Sequence, residues 1–156
     1  MTQHPSEALA VLGLQLPAVP APVAAYVPAV RCGDLVMTSG QLPFQGGQLT
    51  VSGKVGGSVS VQQAAEAARV AALNALAAAA EAAGGLDRIT RVVKVVGFVA
   101  SGPGFTAQPK VVDGASTLLG EVFGVAGAHA RSAVGVAELP LSAPVEIELT
   151  VQVLSA

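Results

Sequence analysis

The chain has 156 residues, 52% of them hydrophobic and only 12% charged, with a net charge of -2. That length suits one domain with a sizeable core, residues 1–156, the first 21 forming an amino-terminal extension. The acidic balance and the scarcity of aromatics (one Tyr, four Phe and no Trp) leave little for neutralising phosphates or stacking bases, so no nucleic-acid partner is expected.

In chain order, residues 1–12 read as a short helix or tail, and 13–25 as a Pro- and Ala-rich extended stretch. Tyr26 to Val30 reads as a first strand. Arg31-Cys32-Gly33-Asp34 reads as a turn and Leu35 to Gln41 as a second strand, which together predict a hairpin. Gln45-Gly46-Gly47-Gln48 is a further turn, and Val51 to Val59 a surface loop. Ser60-Val61-Gln62-Gln63 fits a capping box ahead of an Ala-rich helix over 64–83, which Gly84-Gly85 ends. Leu73 and Leu76 lie on its apolar stripe, while Glu66, Arg69 and Glu81 can face water. Arg91 to Val99 is a β-branched run that predicts a central strand. A weaker helix over 106–121 follows, softened by Gly114, and strands over 131–137 and 145–153 close the chain. This order predicts an α+β layer, two helices on one face of a mixed sheet. So apolar a chain with so few charges is hard to cover as a monomer, so burial between subunits is expected.

Several motifs point to no chemistry. Gly102-Pro103-Gly104-Phe105-Thr106-Ala107 has the form of a dinucleotide fingerprint, but Pro103 spoils an amide cradle, and the loop reads as a Gly-rich connection. Cys32 has no His nearby to activate it, and as the single cysteine it excludes an internal disulfide and a thiolate metal cluster. Lys94 sits in the β-branched run, where alternation can place it on an open face. His4 lies in the tail. No apolar run of roughly eighteen residues escapes Gly, Pro or charge, so no membrane helix is indicated. The start, Met1 to Glu7, lacks the basic region of a secretory signal, and a cytoplasmic location is expected.

Arg131 is different. It opens Ala130-Arg131-Ser132-Ala133-Val134, in a chain with only eight Lys plus Arg. A guanidinium against apolar residues needs an anionic partner, either a protein carboxylate or that of a ligand. A protein carboxylate clamped there argues for a structural ion pair; a small-molecule carboxylate argues for a site. His129, two residues earlier, shares a strand face with Arg131 and reads as a proton carrier or a polar neighbour. Glu146 and Glu148 alternate with Val145, Ile147 and Leu149; Glu148 reads as a solvated carboxylate, and the role of Glu146 depends on Arg131.

Taken as a set, these segments resemble the reactive intermediate deaminase family, also called YjgF/YER057c/UK114, often labelled endoribonuclease L-PSP-like. The matching pieces are Tyr26 to Val30, Thr38-Ser39-Gly40-Gln41-Leu42-Pro43, the helix bearing Asn74, Val93-Lys94, Ala130 to Val134, Leu139-Pro140 and Val145 to Glu148, over roughly residues 22–153. The resemblance implies a chorismate-mutase-like α+β fold, a homotrimer with ligand sites at subunit clefts, and cofactor-free hydrolysis of 2-imino acids or enamines to 2-keto acids and ammonia. On that resemblance Arg131 grips the substrate carboxylate, where a planar fork suits a planar anion. Glu146 holds or activates the attacking water as general base. Tyr26, Ser39 and Gly40 line the pocket. Asp113 stands where many relatives have Asn, placing a negative charge near an anionic substrate and weakening its binding. Ala133 replaces a frequent Cys in the substrate-binding wall. The longer amino terminus and the 101–112 stretch resemble the second YjgF-like subgroup. The alternative these departures leave is a non-catalytic trimeric protein that binds small carboxylates.

Overall fold

The computed structural model describes residues 4–155. They run α1 (Pro5–Val11), β1 (Ala29–Cys32), β2 (Leu35–Thr38), β3 (Phe44–Gln45), β4 (Gln48–Leu49), α2 (Val61–Ala83), β5 (Ile89–Ala100), α3 (Gln108–Phe123), β6 (Ala130–Val136) and β7 (Val145–Val153). The main sheet has the order β1-β2-β7-β5-β6, with β5 and β6 parallel and the other neighbours antiparallel. It is the expected mixed sheet of an α+β protein.

Helix α2 starts where the sequence places it. The Ser60 hydroxyl accepts from the Gln63 amide at 3.1 Å, and the Gln63 side chain accepts from the Ser60 amide at 3.0 Å. Two orphan donors of the first turn are thereby satisfied. At the other end Gly84 takes the left-handed conformation at φ 85°, which favours a residue without Cβ. Between them Ala64, Ala68, Ala71, Ala72, Ala75 and Leu76 are buried against β7 and α3. A face this small lets backbones come close.

Helix α3 is set by two such approaches. A Cβ on Gly97 of β5 would run into the Val112 side chain, and one on Gly114 would run into the Ala65 carbonyl of α2. Val112 and Gly114 flank Asp113, so the two contacts fix the helix on either side of that carboxylate. Below it Leu118, Leu119, Ile147 and Leu149 form the buried core. Truncating one of these to Ala removes about 2–5 kcal/mol.

Several features differ from the sequence reading, among them the 51–59 segment, whose Val55 and Val59 are buried in the core rather than lying on a surface loop. The first strand begins at Ala29 rather than Tyr26 and continues through Arg31 and Cys32. Pro28 can donate no ladder bond, and its carbonyl instead accepts from the Ser39 amide at 2.8 Å. The turn shrinks to Gly33-Asp34, with Cys32 paired to Leu35. The second strand stops at Thr38, whose hydroxyl accepts from the Leu149 amide at 3.0 Å. The stretch read as a short helix or tail is a helix, α1, and it packs on α3 and on the turn at Leu86–Arg88. The Ser6 amide and hydroxyl both donate to Asp87, at 2.9 and 2.7 Å. Burial of Ala8 and Leu9 completes the docking.

Among the described residues no helix is long and apolar enough to cross a membrane.

Candidate functional site

Strand β6 delivers Arg131 to the helix-covered side of the sheet. In register it lies beside Val95, which is fully buried under the helices. Its Nη1 donates to Asp113 Oδ1 at 2.7 Å and to the Ser116 hydroxyl at 3.2 Å. Asp113 and Ser116 are three apart on α3, so they share one face of that helix. The anionic partner of Arg131 is therefore a protein carboxylate, the outcome that favours a structural ion pair. Its extent is limited. Among the described residues Nε and Nη2 make no hydrogen bond, so the guanidinium is held by one nitrogen and half of its fork is free.

Behind Arg131 the network continues. His129 Nδ1 lies 2.6 Å from the Gly127 carbonyl and Nε2 lies 2.9 Å from the Ser116 hydroxyl. A carbonyl can only accept, so Nδ1 carries a proton. Nε2 is hydrogen-bonded to the same Ser116 hydroxyl that accepts from Arg131 Nη1. His129 is thus a polar neighbour that orients Ser116, and Ser116 orients Arg131. The sequence reading did not single out Ser116; its i+3 spacing from Asp113 was the available signal.

Glu146 lies on the other side. Val145 and Ile147 are wholly buried in the core, so strand alternation sends Glu146 to the open face, opposite Phe98. Glu148 follows on the same face opposite Val96, half-buried rather than solvated. A Cβ on Gly40 would land on the Glu146 carboxylate, so the glycine makes room for that side chain. Gln41 locks this corner by exchanging two backbone bonds with Ile147, at 2.8 and 3.0 Å. Ser39 sits next door, its hydroxyl donating to the Val27 carbonyl at 2.7 Å, which holds the segment carrying the exposed Tyr26. Asn74 of α2 supports the same corner by donating to the Leu42 and Phe44 carbonyls at 3.0 and 2.9 Å. Glu146 makes no hydrogen bond or ion pair with the described residues. Partial burial pushes its carboxyl above the usual range, and the Glu148 charge adds to the shift.

The predicted site residues therefore form two groups. Tyr26's segment, Ser39, Gly40 and Glu146 gather at one corner. Asp113 and Arg131 meet at the edge strand. Ala133 lies on β6 in register with Gly97, on the same strand face as Arg131, half-buried against the core. Strand β5 separates the groups, which also occupy opposite faces, so Arg131 and Glu146 of one chain do not meet.

The remaining candidates take ordinary places. Lys94 is exposed on the open face, opposite Thr150, and Cys32 is exposed on β1. The amide of Gly102 is spent on the Val55 carbonyl at 2.8 Å, so the glycine loop, although it opens the parallel β5-α3-β6 crossover, is not a free phosphate cradle. Among the described residues no three His, Cys, Asp or Glu side chains cluster as metal donors. A cavity of about 700 Å³ lies between Pro17, Val19, Phe44, Val70 and Leu73, and neither Arg131 nor Glu146 lines it.

A mixed sheet with two helices on one face, a glycine-relieved carboxylate on β7 and a half-free arginine on β6 define a small α+β protein of the chorismate-mutase-like type. The chain belongs to the YjgF family: the profile described as "YjgF/chorismate mutase-like, putative endoribonuclease" matches residues 6–152. Protein TCP17 of Trypanosoma cruzi is 45% identical over 142 residues, covering 90% of this chain and 89% of that protein. The crystal structure of Atu1372 from Agrobacterium tumefaciens, a protein of unknown function, is 46% identical with a TM-score of 0.87, over 94% of this chain and 90% of that one. TdcF of E. coli, crystallised with bound serine, is 27% identical with a TM-score of 0.62, over 88% and 94% of the two chains.

Proposed function

We propose that the protein hydrolyses 2-imino acids, or their enamine tautomers, to 2-keto acids and ammonia, in a homotrimer whose subunits bring the two groups together. The observation that carries this reading is Glu146. A half-buried carboxylate without a protein partner is unfavourable for folding, and its raised pKa suits a general base. Glu146 takes a proton from water as the water attacks the imine carbon. A protonated imine is already electrophilic, so the attack needs no metal or cofactor. The free half of Arg131 holds the substrate carboxylate, Ser39 and Gly40 line the pocket near Glu146, and Tyr26 and Ala133 contribute at its margins. The carbinolamine then collapses, and ammonia leaves.

Two observations support the trimer. Arg131 and Glu146 cannot converge within one chain. The open sheet face also leaves Val30, Met37 and Val134 exposed, at 51%, 42% and 43%, an apolar surface that association would cover. The serine found in TdcF supports a small amino-acid-like ligand for this fold.

A second reading, a trimeric binding protein without catalysis, is favoured by the Arg131–Asp113 contact, which occupies part of the anion site. The deciding experiment follows keto-acid release from 2-iminopropanoate and 2-iminobutanoate generated in situ. Acceleration by the wild type that is lost in both Arg131→Ala and Glu146→Gln is expected. No acceleration of either imine would leave the binding protein.

A further inference from the structure

We propose that Asp113 makes the Arg131 end of the site selective for zwitterions: it prefers a small molecule whose carboxylate lies next to a carbon bearing a cationic nitrogen over a plain carboxylate. This rests on the reading that Arg131 holds the ligand carboxylate. The contact pairs Nη1 with Oδ1 at 2.7 Å and leaves Nε and Nη2 of Arg131 without a partner among the described residues. Asp113 Oδ2 likewise accepts no hydrogen bond from them, and its side chain is 61% exposed. What faces a ligand is a donor edge beside an acceptor, with zero net charge. A simple carboxylate gains from Arg131 and is repelled by Asp113. An α-ammonium or α-iminium carboxylate carries both charges on neighbouring carbons and meets both groups.

The ion pair is not needed to build this part of the fold. Helix α3 is seated by the Gly97–Val112 and Gly114–Ala65 approaches. Arg131 is separately held by Ser116, which His129 orients. Asp113 is thus free to act on the ligand. The consequence for the proposed reaction is directional. A protonated 2-imino acid is a zwitterion, whereas its keto-acid product has lost the cationic nitrogen and keeps the negative charge. Asp113 therefore favours the substrate and disfavours the product, an element of selection against the wrong ligand.

L-Alanine and pyruvate share a carbon skeleton and differ in this nitrogen. Their dissociation constants, measured calorimetrically on the full chain, are compared in the wild type, Asp113→Asn and Arg131→Ala. The wild type is expected to prefer alanine. Asp113→Asn keeps the shape and removes the charge, so pyruvate should tighten, alanine should weaken, and the ratio of the two constants should change by about tenfold. An unchanged ratio in Asp113→Asn, with both ligands still lost in Arg131→Ala, overturns the charge selection and spares the Arg131 reading. Binding that survives Arg131→Ala, or no binding of either ligand to the wild type, overturns both.

Discussion

Asp113 and Arg131 are joined at 2.7 Å, yet their side chains differ in exposure, 61% against 25%. The acid lies at the rim and the base is held from behind by Ser116. An ion pair open on one side is screened by water and contributes about 0–1 kcal/mol. Replacing Asp113 with Ala should therefore change stability by no more than about 1 kcal/mol, read from denaturant midpoints at unchanged slope. A loss of several kcal/mol would mean that the contact is a structural clamp.

Gly40 and Glu146 offer a sharper test. An added Cβ at position 40 meets the Glu146 carboxylate and the carbon chain behind it, at 2.7 Å from the carboxyl carbon. The side chain must turn away, toward solvent, while Gln41 still bridges to Ile147. Gly40→Ala should fold with a melting temperature near that of the wild type and lose imine hydrolysis by about 10²-fold or more, as removal of a general base does. Full activity in this variant would exclude Glu146 as the base in its observed position.

The raised pKa of Glu146 has a sign. The folded state holds the proton more tightly than the unfolded chain, so the group's contribution to stability is present below the ordinary carboxylate range and is lost as pH rises through the elevated folded value. At neutral pH Glu146→Gln should thus be at least as stable as the wild type, with the difference closing in acid. Melting curves across that range give the answer; a variant that is less stable at neutral pH contradicts the assignment. Catalysis should run the other way, rising with pH as Glu146 ionises.

Ser116 and His129 act through Arg131 rather than on a ligand. Ser116→Ala removes one acceptor from Nη1 and the partner of His129 Nε2. We expect KM for the imine to rise by about five- to tenfold, with kcat less affected, since about 1 kcal/mol of orientation is lost from binding. An equal fall in kcat at constant KM would instead place Ser116 at the reacting atoms.

Asp87 docks α1 through two bonds from Ser6, which lower its pKa, the side-chain bond most. This stability is present above the usual carboxylate range and is lost as pH falls through the depressed value. The group is exposed, so the effect is small. Hydrogen exchange of the Ala8 and Leu9 amides should accelerate in Asp87→Asn, and unchanged protection there would assign the docking to apolar burial alone.

The chain by itself determined whatever depends on neighbours in sequence. The capping box at Ser60, the left-handed stop at Gly84 and the β-branched run of β5 are local rules, and they hold at those positions. So does the alternation that sends Glu146 away from the core. The Arg-Ser and Val-Glu-Ile-Glu runs are legible as a family pattern in the sequence alone. Tertiary structure decided what depends on distant partners. Pro28 is read as strand until its carbonyl is seen to serve Ser39. What α1 docks on is likewise decided in three dimensions: Asp87, far along the chain, receives its first turn, and Ala8 and Leu9 are buried. Above all, no spacing rule could say that Asp113 would meet Arg131 while Glu146 would not. Helix α3 reaches β6 because Gly97 and Gly114 let it sit close, and strand β5 keeps Glu146 on the opposite face. Periodicity assigns a side chain to a face; only the packing of elements decides which faces share a site.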